Sequence, residues 1–493
     1  MPSADGAPAV AVGRERGAGR SAPNGAPAAR IRDRLAAPVD GASVAVFRIA
    51  FFGIIACEVA RYFAHGWIRE YWIDPTFHFT YFDLGWVRPW PGVGMYVHFG
   101  ALGCLALLAA AGVWYRPAAI LVWLGFTYQF LLDEARYLNH FYAASLFALL
   151  LAVIPADAAW AFHRGAGWRK QSDGAAKPAG AGTVPTWAVW LLRAQVGTIY
   201  AFAGLAKLNG DWLHGEPMRS WLLDKARMPV IGAIVHYGWG LALFSYGGLF
   251  FDLLVVPGLL WRRTRPAAFA VAVVFHLLNS QLFTIGIFPW MMIAATTIFF
   301  DPAWPRSLRV ALRRRWRPER EAGPRTPPAA GTPVLPSTSI AGRGGALSLG
   351  ATWVLAFYVA IQVGVPLRHF LYPGNVAWTE EGHRFSWRMM LREKTGTARF
   401  FVRTPRGQVT VNPRDSLTAW QYDELVAHPD MVLQFAHHLA DDWRAQGIDR
   451  VEVRARVMAS LDSHRQLPLV DSTVDLAAQP RTLGHERWVT AGP

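Results

Sequence analysis

The residues here with the clearest capacity for chemistry are polar groups set inside apolar runs. Lys207 lies near the end of Leu191–Trp212 (LLRAQVGTIYAFAGLAKLNGDW), which also carries Arg193 and Gln195. A lysine inside a spanning helix costs a few kcal/mol and usually faces a bundle interior or a cavity. Its neighbours Ala203, Gly204 and Ala206 are small enough for another helix or a flat ligand to come close. The competing reading is a lysine snorkelling to the interface, because Asn209, Gly210 and Asp211 follow at once. In FHLLNSQLF, His276 is followed by Asn279 and Ser280 three and four positions later, so the three share a helix face. Such a face either glues helices together or lines a cavity with a base, hydrogen-bond donors and aromatic rings. Asp133 and His140 sit around the short polar link between two further apolar runs.

Holding these groups together requires membrane helices. The chain is 53% hydrophobic with 23 Trp and a mean hydropathy of +0.19, an excess that one soluble core cannot absorb. Apolar stretches of spanning character fall at Ser43–Phe63, Val93–Trp114, Ala118–Leu132, Phe141–Ile154, Thr186–Leu208, Leu241–Trp261, Pro266–Phe283, Ile285–Phe300 and Ala346–Val365. Since a crossing takes about 20 residues, the third and fourth are short and are expected to be tilted or shielded by protein. The fold class predicted is a polytopic α-helical membrane protein of about nine spans with a C-terminal α+β soluble domain on the external side.

The domain limits that follow are a disordered Arg-rich tail over 1–36, a transmembrane helical domain over 37–305, and a basic stretch with a Pro/Gly-rich linker over 306–345. A last transmembrane helix over 346–366 and an external domain over 367–493 complete the chain. In that domain ARFFVRT and QVTVN around Pro405-Arg406-Gly407 read as a hairpin. Leu417–Ala427 and Asp430–Gln446 read as helices and Val451–Leu461 as a strand.

Charge supports this orientation. The net charge is +15, and the arginines cluster in a few loops. With the amino terminus in the cytoplasm, Arg116, the group Arg164/Arg169/Lys170/Lys177, the group Arg262/Arg263/Arg265, and the run Arg306–Arg320 all fall inside. No nucleic-acid-binding motif accompanies the charge, so a nucleic-acid partner is not expected. The two cysteines, Cys57 and Cys104, sit in apolar runs and form no disulfide framework. No metal-ligand spacing, nucleophile elbow or phosphate loop is present, and no metal is expected. Glu58 and Arg61 read as an ion pair inside the first span.

With these residues in hand the chain resembles the vitamin K-dependent gamma-glutamyl carboxylase family, whose membrane unit is also known as the horizontally transferred transmembrane domain. FHLLNSQLFTIGIF (Phe275–Phe288) is similar to that family's FHxxNSQLFxIGxF motif, and FAGLAKLNGDW to its lysine-bearing segment. LLDEARYLNHFY resembles LLDKxxWNNHxY, and DPAWPR and FSWRMM (Phe385–Met390) are similar too. The resemblance implies that Lys207 deprotonates the hydroquinone of vitamin K or menaquinone, and that His140 stabilises the charged product of its reaction with O2. The strong base so generated removes a γ-proton from a protein glutamate, and the carbanion captures CO2. Desolvation favours the neutral amine of a buried lysine, whereas an arginine keeps its proton.

The resemblance further assigns Asp133, Tyr137, Asn139, His276, Asn279, Ser280 and Gln281 to the quinone site, and His383 and Trp387 to the glutamate region. Two departures stand out. Tyr137-Leu138 replaces a Trp-Asn pair, and Gly382-His383-Arg384 replaces Leu-Tyr-Gly in the segment tied to glutamate binding. The partners expected are membrane lipid, a quinone and a glutamate-containing protein. The Ala/Arg/Gly/Pro-rich composition points to a bacterial cytoplasmic membrane. A non-catalytic membrane protein of the same fold, acting in binding, immunity or protein maturation, is the alternative; a transporter is less favoured without an inverted repeat.

Overall fold

The computed structural model describes residues 27–162, 182–228, 232–234, 236–316 and 347–493. The basic loop from Arg164 to Lys177, the linker Glu321–Gly345 and residues 1–26 of the tail lie outside the described residues; the end of the tail expected to be disordered is instead a helix, Pro27–Ala36.

A helix stands at each of the nine apolar stretches. Five are long and apolar enough to cross a membrane: Ala42–Ala64, Gly94–Ala111, Thr186–Ala206, Gly238–Leu260 and Leu349–Leu371. The others, Tyr115–Leu131, Asn139–Val153, Arg265–Leu282 and Phe288–Thr296 with its 3-10 extension Thr297–Phe299, are shorter or less apolar and pack among them. Nine full crossings are therefore an upper reading of a bundle with five candidate spans among the described residues. Phe47, Phe51, Phe52 and Phe147 interlock edge to face at its centre. Arg48, fully buried, donates to the carbonyls of Ala156, Ala159 and Trp160, and so satisfies the turn that ends the Asn139–Val153 helix. The Glu58–Arg61 pair forms at 2.6 Å.

The last membrane helix is loosely held, with polar contacts such as Tyr358 Oη donating to Gln195 Oε1 at 2.6 Å. It leads into an α+β domain. Strands Lys394–Thr404 and Gly407–Val411 form the predicted hairpin, with Thr404 opposite Gly407. Strand Glu452–Leu461 pairs antiparallel on the other side, and the sheet order is completed by Leu467–Pro468. Alternation puts Ala398, Phe400, Val402, Val453, Ala455 and Val457 on one buried face, covered by helices Ala419–Ala427 and Pro429–Ala445. Thr418 and Gln421 form a reciprocal capping box at the start of the first.

This domain is docked on the bundle rather than tethered to it. Phe77 and Phe79, from the stretch after the first long helix, enter its core; Phe77 stacks on His438 at 4.5 Å. Around them Gln421 Nε2 donates to Phe77 O and Asp133 Oδ2, Gln434 Nε2 donates to Glu134, and Arg384 pairs with Glu134 and Asp430 at 3.1 and 3.0 Å. Beneath this joint Glu380 pairs with Arg392 and Lys394, both at 2.7 Å, and accepts a hydrogen bond from Lys394 Nζ. Burial alone would raise the Glu380 carboxyl, but Arg392 and Lys394 outweigh it and hold it well below the usual range. A depressed carboxyl contributes stability above its unfolded value, about 4.3, and that contribution is lost as pH falls through the folded value. Acidification below about pH 4 is thus expected to loosen the joint, read as new proteolytic cleavage between 372 and 395. Glu380→Gln should remove this acid step while lowering the melting temperature at neutral pH, because Arg392 and Lys394 stay buried without their anion.

Candidate functional site

The bundle holds a half-open cavity of about 830 Å³ whose wall is mostly apolar, built from rings such as Phe244, Phe251, Phe275 and Phe288 together with Met389 and Met390. Its polar side chains include Asn139, His140, Tyr200, Lys207, Asp252, His276 and Asn279, brought from four helical segments of the chain.

Lys207 caps the C-terminal end of Thr186–Ala206 and is 7% exposed. It does not snorkel. Its Nζ donates to Asp252 Oδ2 at 2.6 Å, and stands 5.1 Å from the Trp212 ring centroid. Trp212 is fixed in turn by a hydrogen bond from Nε1 to Ser245 O at 2.9 Å. The pair forms because the Thr186–Ala206 and Gly238–Leu260 helices cross closely where Gly204 meets Leu253. A Cβ on Gly204 would stand 2.7 Å from Leu253 Cδ2 and 3.2 Å from its amide nitrogen. Gly204→Val is therefore expected to part the two helices, costing about 1–3 kcal/mol as overpacking. A lowered melting temperature with weakened Lys207–Asp252 contact is the outcome; an unchanged melting curve would refute the close crossing.

His276 projects inward from Arg265–Leu282, buried at 1% exposure. Its Nε2 hydrogen-bonds Tyr200 Oη at 2.7 Å, and its Nδ1 has no hydrogen-bond partner among the described residues. Rings of Phe251, Phe275 and Phe288 surround it. Asn279 joins it on the wall. Ser280 is turned the other way, donating to Leu277 O at 2.7 Å, and Gln281 is exposed beside it.

Asn139 and His140 open the Asn139–Val153 helix and reach the cavity. Gly286, whose φ of +53° favours glycine, sits beside His140 in the loop after Arg265–Leu282. Tyr137 is a hinge between site and joint. Its Oη donates to Asn139 Oδ1 at 3.0 Å and accepts from the Phe385 amide at 2.6 Å, while Asn139 Nδ2 donates to Arg388 O. Trp387, fully buried with φ +57°, stacks on Tyr142 at 4.7 Å. The segment from Glu380 to Met390 thus runs from the domain joint to the cavity, where Met389 and Met390 line the wall.

Of the residues the sequence proposed, the fold brings Lys207, His140, Asn139, His276 and Asn279 together. Asp133 stands apart from them. It accepts from the Ala135 amide at 2.9 Å and Gln421 Nε2 at 3.0 Å, and contacts His78 Nδ1 at 3.0 Å, all of it in the joint. His383 Nδ1 lies 3.4 Å from Glu380, also in the joint. Asp252 and Tyr200 were not anticipated, because FDLLVV and GTIYAF read as apolar runs. A signal for Asp252 was available: a carboxylate in mid-span is costly unless it has a partner.

Comparison with known proteins adds two findings. The family model described as HTTM domain matches residues 36–304. The one described as vitamin K-dependent gamma-carboxylase, lumenal domain, matches residues 349–493. No solved structure matches the chain.

Proposed function

Because the chain belongs to the vitamin K-dependent gamma-carboxylase family of HTTM-domain membrane proteins, we propose that it oxidises a reduced naphthoquinone to its epoxide and couples this to carboxylation of a protein glutamate. The observation that carries the reading is the convergence of Lys207–Asp252, Tyr200–His276 and His140 on one largely apolar cavity.

The cavity suits a flat apolar ring with hydroxyl groups. It is wide and aromatic-walled, and its lining includes His276, whose buried Nδ1 has no hydrogen-bond partner among the described residues. His276, Asn279, Asn139 and His140 would hold the ring oxygens of vitamin K hydroquinone or menaquinol. When bound, such a quinol supplies with O2 the strong base that glutamate deprotonation needs, and CO2 then adds to the carbanion. Lys207 and Asp252 handle the first proton. At 2.6 Å they can exchange one between Nζ and Oδ2, and its passage to the carboxylate leaves a neutral amine facing the cavity. The amine then takes a hydroxyl proton, so the pair as a whole gains one. Tyr200 fixes the His276 ring by bonding Nε2, which directs Nδ1 as acceptor or donor according to the tautomer. His140 supplies a hydrogen bond where negative charge develops, and the apolar wall keeps water from quenching it.

A second reading is favoured by one observation. Where the family's glutamate segment lies, His383 faces Glu380 and Arg384 is committed to Glu134 and Asp430. With these side chains spent on the joint, the chain would oxygenate quinol without carboxylating glutamate. Product analysis of purified protein with quinol, O2, bicarbonate and a glutamate peptide separates the outcomes. Epoxide with carboxyglutamate supports the full reaction, epoxide alone the second reading, and neither product the non-catalytic alternative.

For orientation we propose a cytoplasmic amino terminus and an external C-terminal domain, in a bacterial cytoplasmic membrane. Reporters fused after Ala159 and after Pro493 are expected on opposite sides, because basic loops stay inside. The same side for both would overturn the topology.

A further inference from the structure

We propose that the Trp304–Trp316 helix is an interfacial anchor that binds anionic phospholipid on the face of the bundle opposite the C-terminal domain. The helix, WPRSLRVALRRRW, carries Arg306, Arg309, Arg313, Arg314 and Arg315 and no acidic residue. Leu308, Leu312 and Trp316, spaced by four, make one stripe that nothing among the described residues covers: they are 49%, 47% and 81% exposed. Beside it runs a second stripe of Arg306, Arg309 and Arg313. Arg306 turns inward to Asp40 at 2.7 Å and pins the helix to the bundle, while Arg309, Arg313 and Arg315 remain exposed. An apolar stripe next to an arginine stripe on a short helix fits the headgroup boundary of a bilayer, with aliphatic groups in the acyl layer and guanidinium groups on phosphates.

The neighbourhood agrees. Phe300 packs on Phe269 at 5.2 Å, and Arg193 donates to the Phe300 carbonyl at 3.2 Å, so the root of this helix lies at the level where Arg265–Leu282 begins. There Trp261, Arg262 and Arg263 are exposed as well, extending the same aromatic and basic face. The chain's own segment 317–346 is a poor cover. Its charged residues are Arg317, Arg320, Arg325 and Arg343 against Glu319 and Glu321, a net positive balance that repels the arginine stripe. An anionic lipid surface complements it.

The test uses full-length protein with Cys57 and Cys104 replaced by alanine and Leu312→Cys carrying an environment-sensitive fluorophore. It is reconstituted into discs of phosphatidylcholine with or without phosphatidylglycerol. A blue-shifted emission, brighter by about twofold in the anionic discs, is expected from the attraction of lysine and arginine to anionic headgroups. Combined Arg309→Gln, Arg313→Gln and Arg315→Gln should abolish the difference between lipids, while Arg406→Gln on the C-terminal domain leaves it intact. Identical spectra in both lipids, with or without the arginines, would overturn recognition of anionic lipid. A water-exposed probe in both discs, or crosslinks from position 312 to residues 317–346, would overturn the membrane as the occupant.

Discussion

Lys207→Ala is expected to stop epoxide formation from reduced quinone, a loss of about 10²–10⁴-fold for removal of a positioned base. The expectation rests on where the amine stands, at the cavity wall beside Asp252 and over Trp212. Alanine also strands Asp252 in a buried site, so loss of activity and loss of fold must be separated. Lys207→Arg makes that separation. A guanidinium can keep the ion pair with Asp252, and hence the helix crossing, but it does not surrender its proton. Its melting temperature should stay close to that of the unaltered protein while epoxide formation fails as in the alanine variant. A small exogenous amine is expected to restore part of the activity to Lys207→Ala by filling the vacated space, and to do nothing for Lys207→Arg. Epoxide at the normal rate from either variant would remove Lys207 from the mechanism.

What the sequence disclosed and what it hid differ in physical kind. Apolar run length marked the nine helices at the apolar stretches, though not the shorter ones such as Trp67–Trp72 and Met218–Asp224, and the Pro405-Arg406-Gly407 turn marked the hairpin, because these are set by near neighbours. Lys207 and His276 stood out because polar groups in apolar runs are costly. Their partners did not, since pairing between Thr186–Ala206 and Gly238–Leu260 depends on a helix crossing that Gly204 permits and no local pattern encodes. Asp133 misled for a related reason. It is seven residues from His140, yet the 3-10 turn Glu134–Arg136 reverses the chain between them. One side chain is left in the domain joint and the other in the cavity. Ser280 and Asn279 flank His276 on either side of one helix face, and the cavity lies only on the Asn279 side.

Asp252 carries the other large effect. Asp252→Ala should leave the Lys207 ammonium buried without a counter-charge, destabilising the protein by about 3–5 kcal/mol, the range for breaking a buried pair from one side. Both side chains are nearly closed off, at 8% and 7% exposure, so solvent screening offers little relief. Activity should fall as well, for a reason that stability alone does not supply: the amine loses the acceptor to which its proton is handed. Replacing the pair together tells the two effects apart. Lys207→Met with Asp252→Leu fills similar volume without charge, and such swaps are often neutral or stabilising by 1–4 kcal/mol on the order seen for buried pairs. The double variant is therefore expected to melt at or above the temperature of the unaltered protein and to form no epoxide. If Asp252→Ala instead melts normally and keeps full activity, the carboxylate neither holds the lysine nor shares its proton. If the double variant melts as low as the single one, the pair is not the source of the destabilisation, and the close crossing at Gly204 has to account for the packing by itself.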